Sequence, residues 1–175
     1  KARKAILQAA KESGFQLNVN AKQLKQSHTN NILVIVKGTS NEMFAGLVEA
    51  IQGHFAKLKY PLIVDYIDES ANEVRRALQL CREKKPQGII FLGGNQENFE
   101  SDFSSIDVPC ILVTNDASSL NFKNLSSVTT DDREAARCAM DKLIADGHRK
   151  IAVIGGDKTS SEISRLRYEG CQQSF

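Results

Sequence analysis

The 175-residue sequence predicts an α/β fold, a parallel β-sheet with helices on both faces. Three observations carry that prediction. Short apolar runs recur along the chain, and most of them are continuous rather than alternating. The segments between them place apolar residues at helical spacing. Continuous runs suit parallel strands that are covered on both sides, and right-handed crossovers return each helix onto the sheet.

Residues 1–14 read as a short amphipathic helix with Ile6, Leu7, Ala9 and Ala10 on one side, stopped by Gly14 with Phe15 behind it. Such a helix is too short to be stable alone in water. The first strand is ILVIV (32–36). Phe44, Leu47, Val48, Ile51, Phe55 and Leu58 then form one helical stripe. PLIVDYI (61–67) is the second strand, and Val74, Ala77, Leu78 and Cys81 repeat the helical spacing. GIIFLGG (88–94) and CILVTN (110–115) are the third and fourth strands. Pro61 and Pro109 stand at strand openings, where a missing N–H does least damage. A further helix carries Ala136, Ala139, Met140 and Leu143 and ends at Gly147, a natural C′ residue. Asp131 and Asp132 are neighbours whose side chains point apart, so they read as caps of that helix. IAVIGG (151–156) is expected as a fifth strand, and the helical segment after it looks like the start of a second subdomain.

Composition bounds the function. At 41% hydrophobic and 25% charged, the chain can build a real core. No run approaches the roughly 18 apolar residues of a membrane span. The N-terminus lacks the apolar stretch of a secretory signal. Cys81, Cys110, Cys138 and Cys171 show no CxxC or metal-ligand spacing, and read as buried or half-buried thiols of a reducing cytosol. His28, His54 and His148 are isolated. Charge is unevenly spread. Six of the 23 Lys/Arg but one of the 21 Asp/Glu fall in residues 1–29, leaving 17 basic and 20 acidic side chains for the rest. A basic arm on a mildly acidic body suggests that the arm meets a polyanion.

In an open parallel sheet, ligands bind beyond the carboxyl ends of the strands. The segments leaving those ends are polar: KGTSN (37–41), DESAN (68–72), GGNQ (93–96), NDASS (115–119), TTDD (129–132) and GGDKTSS (155–161). Nucleotide motifs fail: FLGGN is not GxGxxG, and GGDKTS lacks the GxxxxGK[ST] frame. No GxSxG elbow and no histidine with an acidic orienter and a nucleophile is visible. The expectation is a non-enzyme without cofactor or metal.

AILQAAKESGFQLN (5–18), NVNAKQL with a threonine at 29, NNILVIV followed by SNEMFAGLVEAI, PQGIIFLG, VPCILVTN, the stretch from Val128 to Gly156 and SRLRYEGC come in one characteristic order. With them the chain resembles the lac repressor/galactose repressor (LacI/GalR) family of bacterial transcription regulators. The resemblance runs through nearly the whole chain. It implies a periplasmic-binding-protein-like, flavodoxin-like core preceded by a headpiece remnant and a hinge. The implied divisions are a last headpiece helix at 1–16, a hinge at 17–30, an N-terminal core subdomain at 31–148 and the start of a C-terminal subdomain at 149–175.

It further implies a cytoplasmic homodimer that grips double-stranded operator DNA, with no membrane, and answers to a small sugar-like effector. The hinge residues would be Asn18, Ala21, Lys22, Leu24 and Lys25. A hinge leucine flanked by lysines suits an apolar wedge levered between base pairs in the minor groove. A polar segment this short orders only on binding. The effector residues would be Asn41, Met43, Phe44, Asn115, Asp116, Glu134 and Arg167, the last offering a bidentate guanidinium. The sequence departs from the family pattern at Leu33, usually Gly; at Asn41-Glu42, commonly Asn-Pro; and at Lys22, usually Arg. The recognition helix of the headpiece is missing from the chain. Two rivals stay open. A solute-binding protein of transport would show an export signal and no basic arm. A flavodoxin-like enzyme would show a cofactor motif or a catalytic group.

Overall fold

A computed structural model describes residues 29–175 apart from 59 and 160. The expected helix at 1–14 and the hinge residues Asn18, Ala21, Lys22, Leu24 and Lys25 lie outside the described residues. Five parallel strands, β1 (Ile32–Lys37), β2 (Leu62–Ile67), β3 (Gly88–Leu92), β4 (Cys110–Val113) and β5 (Leu125–Val128), form one sheet in the order β2-β1-β3-β4-β5. β1 is an interior strand beside the central β3, with Leu33 level with Ile63 on one side and Ile89 on the other.

Period-two alternation splits the apolar residues of β1 between two cores. Leu33 and Ile35 join Ile89, Phe91 and Leu112 on one face, under α2 (Glu73–Lys84) and α3 (Gln96–Asp102). Phe91, Phe99 and Phe103 are fully buried there, with ring centroids 5.1 and 5.5 Å apart along the row. Val34 and Val36 point the other way, onto Phe44 and Val48 of α1 (Glu42–Phe55). Helices on both faces explain why all four inner residues of β1 are buried. The family-like parallel sheet expected from the sequence is the sheet found.

The helices begin where short polar side chains can satisfy free N–H groups. Asn41 caps α1, Asn72 caps α2, Asn95 caps α3 and Asp131 caps α4 (Asp132–Ala145). Ser161 caps α5 (Glu162–Gln172). Gly147, at φ +94°, ends α4 as expected. Its N–H donates to the Ile144 carbonyl, and that of His148 donates to the Leu143 carbonyl. This pair of bonds is a Schellman motif.

Two elements differ from expectation. β5, with sequence LSSV, carries two serines and was not legible as an apolar run. Residues 151–156 form no strand, and Ile154 is 99% exposed. An apolar run becomes a strand only beside a backbone partner, and among the described residues none lies along it. One cysteine also departs: Cys138 is exposed and donates to Glu134, whereas Cys110 is buried and Cys81 and Cys171 are half-buried. Burial pushes the Cys110 thiol well above its ordinary range. Among the described residues no helix is long and apolar enough to cross a membrane.

α5 packs on α4, and a glycine sets how close they come. A Cβ built on Gly170 would lie 2.0 Å from the Arg133 carbonyl oxygen. Gly170→Ala is therefore expected to cost about 1–3 kcal/mol by overpacking. Gly53→Ala in α1, where a Cβ meets nothing within 4 Å, should stabilise by up to about 1 kcal/mol. Urea midpoints of the two variants check both signs. Equal midpoints would refute the tight helix contact.

Candidate functional site

The strands all point the same way, so the chain leaves them on one side of the sheet. The connections run outward in opposite directions from β1 and β3, which makes the gap between these strands the switch point of the topology. A cleft of about 400 Å³ opens there. Its lining comes from Lys37 at the end of β1, from Asn41 and Phe44 after it, from Glu69 and Ser70 after β2, and from Gly93, Gly94, Asn95 and Asn98 after β3. Thr114 and Asn115 after β4 and residues 161–163 at the start of α5 complete it.

Each piece is held by a local reason. The Asn41 carboxamide oxygen accepts from the Met43 and Phe44 N–H groups, fixing the turn out of β1. Phe44 is 7% exposed, belongs to the α1 core and also lines the cleft. Gly93, at φ +77°, lies against its ring, and a Cβ there would meet Phe44 Cε2 and Cζ at 3.0 Å. Gly93→Ala is expected to cost about 1–3 kcal/mol through backbone strain and displacement of the ring. An unchanged thermal midpoint would show that the ring is not seated on this backbone. Thr114 holds φ +80°, an unusual state for a β-branched residue. The Val128 carbonyl accepts from its N–H and the Thr129 hydroxyl donates to its carbonyl, both at 2.8 Å, so the strained turn is pinned from both sides.

The floor of the cleft is an ionic network. Lys37 Nζ donates to Glu73 Oε2 at 2.5 Å and to the Ala71 carbonyl at 2.8 Å. Glu73 is fully buried, and it also accepts from the Asn95 N–H at 2.6 Å and the Asn98 amide at 3.0 Å. Asn72 extends the network, donating to Asn98 and to Asp102.

Of the effector residues expected from the sequence, Asn41, Phe44 and Asn115 come together in this cleft. Met43 is exposed and lies outside the lining. Asp116 organises the next turn: the hydroxyl and backbone N–H of Ser118 donate to it, and they hold its carboxyl below the usual carboxylate range. Glu134 lies on α4, where the Arg137 guanidinium holds its carboxyl down to about 2. Arg167 lines a different hollow of about 630 Å³ between α4, α5 and residues 151–156, and its Nε donates to buried Asp132 at 2.6 Å. Sequence reading did not single out Lys37, Glu73, Asn95, Asn98 or Thr114. The available signal was the position of Lys37 and Asn95 in polar segments that directly follow apolar runs. Chemically, the cleft offers four amides, three hydroxyls, two carboxylates, one ammonium and one aromatic side chain, a set suited to hydrogen-bonding a small oxygen-rich molecule.

Residues 29–175 match the family model described as periplasmic binding proteins and sugar binding domain of LacI family. Catabolite control protein A of Priestia megaterium is 30% identical over 155 residues, which cover 88% of this chain and 46% of that protein. The HTH-type transcriptional regulator MalR of Clostridium butyricum is 34% identical over 145 residues, 81% of this chain and 43% of that protein. The chain thus spans about half the length of the curated relatives it matches. Among solved structures, the lac repressor dimer bound to operator and the anti-inducer ONPF superposes with a TM-score of 0.65 at 20% identity, over 91% of this chain and 55% of that one. That likeness speaks to fold.

Proposed function

Because the chain belongs to the family of periplasmic binding proteins and LacI-type sugar-binding domains, we propose that it carries the effector-binding core of a ligand-responsive, DNA-binding transcription regulator. The relatives named above are regulators rather than enzymes, and we assign no catalysis. The observation that carries the reading is the polar cleft at the β1/β3 switch point, where Asn41, Phe44 and Asn115 meet. The effector is a small polar molecule of the sugar class. The protein acts as a cytoplasmic homodimer and as a repressor. Its hinge at 17–30 lies between a headpiece helix at 1–16 and the core at 31–148, with a second subdomain beginning at 149.

Arg167, Met43, Asp116 and Glu134 stay in this proposal as effector-side residues. Arg167 stands on α5 with a guanidinium already oriented by Asp132. Ligand binding alters operator grip only to the extent that the ligand prefers one arrangement of the core over another. A two-fold dimer calls for two half-sites in a near-palindromic operator. Gel shifts with the full-length protein test this. A footprint of two related half-sites, competed poorly by random DNA, is expected. Salt-sensitive binding indifferent to sequence overturns the proposal.

A further inference from the structure

The cleft contains a cation whose charge is cancelled from below. Among the described lining residues, Lys37 is the one positive side chain, and Glu69 and Glu162 line the same space. Glu162 is in loose contact with Arg165 at 3.5 Å, but that guanidinium lies closer to Glu169, at 2.6 Å. Beneath Lys37 sits Glu73, with no exposed surface, its oxygens held by Lys37, Asn95 and Asn98. An ammonium has three N–H donors. Glu73 and the Ala71 carbonyl take two of them within the described structure, leaving one on a residue that lines the cleft.

We infer that the cleft selects an uncharged, hydroxyl-rich ligand against its phosphorylated or acidic counterpart. Lys37 donates to one ligand oxygen, and Glu73 is the positioning residue that removes its net charge. The inference rests on the reading of the cleft as the effector site. A site built this way offers donor geometry without a positive field. An entering anion would lose its water and find carboxylates already there, which is discrimination by an unfavourable contact rather than by a better favourable one.

The test uses the full-length protein and calorimetric titration with D-glucose, D-ribose and maltose beside glucose 6-phosphate, ribose 5-phosphate and maltose 6′-phosphate. At least one neutral sugar is expected to bind, with its charged counterpart weaker by about tenfold or more, a difference of the size one unfavourable charge contact produces. Lys37→Met should weaken the neutral sugar. Glu73→Gln, which leaves Lys37 an uncompensated cation, should narrow the gap by strengthening the phosphorylated ligand. Glu69→Gln, an exposed change, should narrow it as well and carries the test if Glu73→Gln fails to fold. A phosphorylated sugar that binds wild type as tightly as the neutral one overturns the charge rule. So does a gap unmoved in folded variants. Binding of none of the six probes, neutral or charged, overturns the effector reading itself and the inference with it.

Discussion

Glu73→Ala is expected to lower the unfolding free energy of the core by about 3–5 kcal/mol, the usual consequence of deleting one partner of a buried ion pair. Glu73 is the best-satisfied buried acid among the described residues, with acceptors used by Lys37, the Asn95 backbone and Asn98. Removing it strands an ammonium whose side chain is only 13% exposed, together with a backbone N–H that loses its acceptor. The loss is one of compensation rather than of net attraction, so it has a matched control. The double substitution Lys37→Met with Glu73→Leu removes both charges and keeps the volume, and should recover most of the stability. Chemical denaturation of the two proteins separates the cases. A single variant within about 1 kcal/mol of wild type would mean that Lys37 finds water once Glu73 is gone, and that the floor of the cleft is wetter than the geometry indicates.

Under the proposed function, Leu24→Ala in the full-length protein is expected to weaken operator binding by roughly 10- to 100-fold, because burying a leucine is worth about 1.5–3 kcal/mol and each 1.4 kcal/mol is a factor of ten. The proposal treats this side chain as the wedge between base pairs and its flanking lysines as phosphate contacts. The two roles have different signatures. Lys22→Ala or Lys25→Ala should weaken binding to all sequences alike and flatten the salt dependence by about one counterion each. Leu24→Ala should leave the salt slope alone and reduce the bend in the bound duplex. Anisotropy titrations at several salt concentrations distinguish them, and an unaltered operator affinity for Leu24→Ala would remove the wedge from the proposal.

How much of this was written in the sequence depends on what each element needs from its neighbours. β1 and β3 were legible because strands buried on both faces need continuous apolar residues, and Leu33 to Val36 supply them; β2 and β4 were legible as apolar runs although Tyr66 and Ile111 are exposed. The caps were legible where a short polar residue precedes an apolar stripe, as at Asp131. β5 was not, because an edge strand can hold its place through side-chain bonds instead. The Ser127 hydroxyl accepts from the Ala117 N–H and donates to Asp116. Residues 151–156 misled in the opposite sense: composition announces a strand, but pairing makes one.

The cleft was visible only as a set of polar segments. Its chemistry depends on Lys37 and Glu73, 36 residues apart in sequence and 2.5 Å apart in space. No periodicity links them. The fold brings them together because β1 ends at Lys37 and α2 begins at Glu73, both at the same switch point. A buried acid at the first turn of a helix looks, in sequence, like any dipole-favoured cap residue.

Linkage between cleft and operator is the property on which the proposed function depends. It is measured by titrating a fluorescent operator duplex with full-length protein at fixed salt, without and with a saturating neutral sugar, and then titrating the sugar with and without operator. A regulator of the proposed kind shows operator affinity changed by roughly 5- to 150-fold, and sugar affinity changed by the same factor when operator is present. A sugar that binds in the cleft while operator affinity stays the same would contradict the claim.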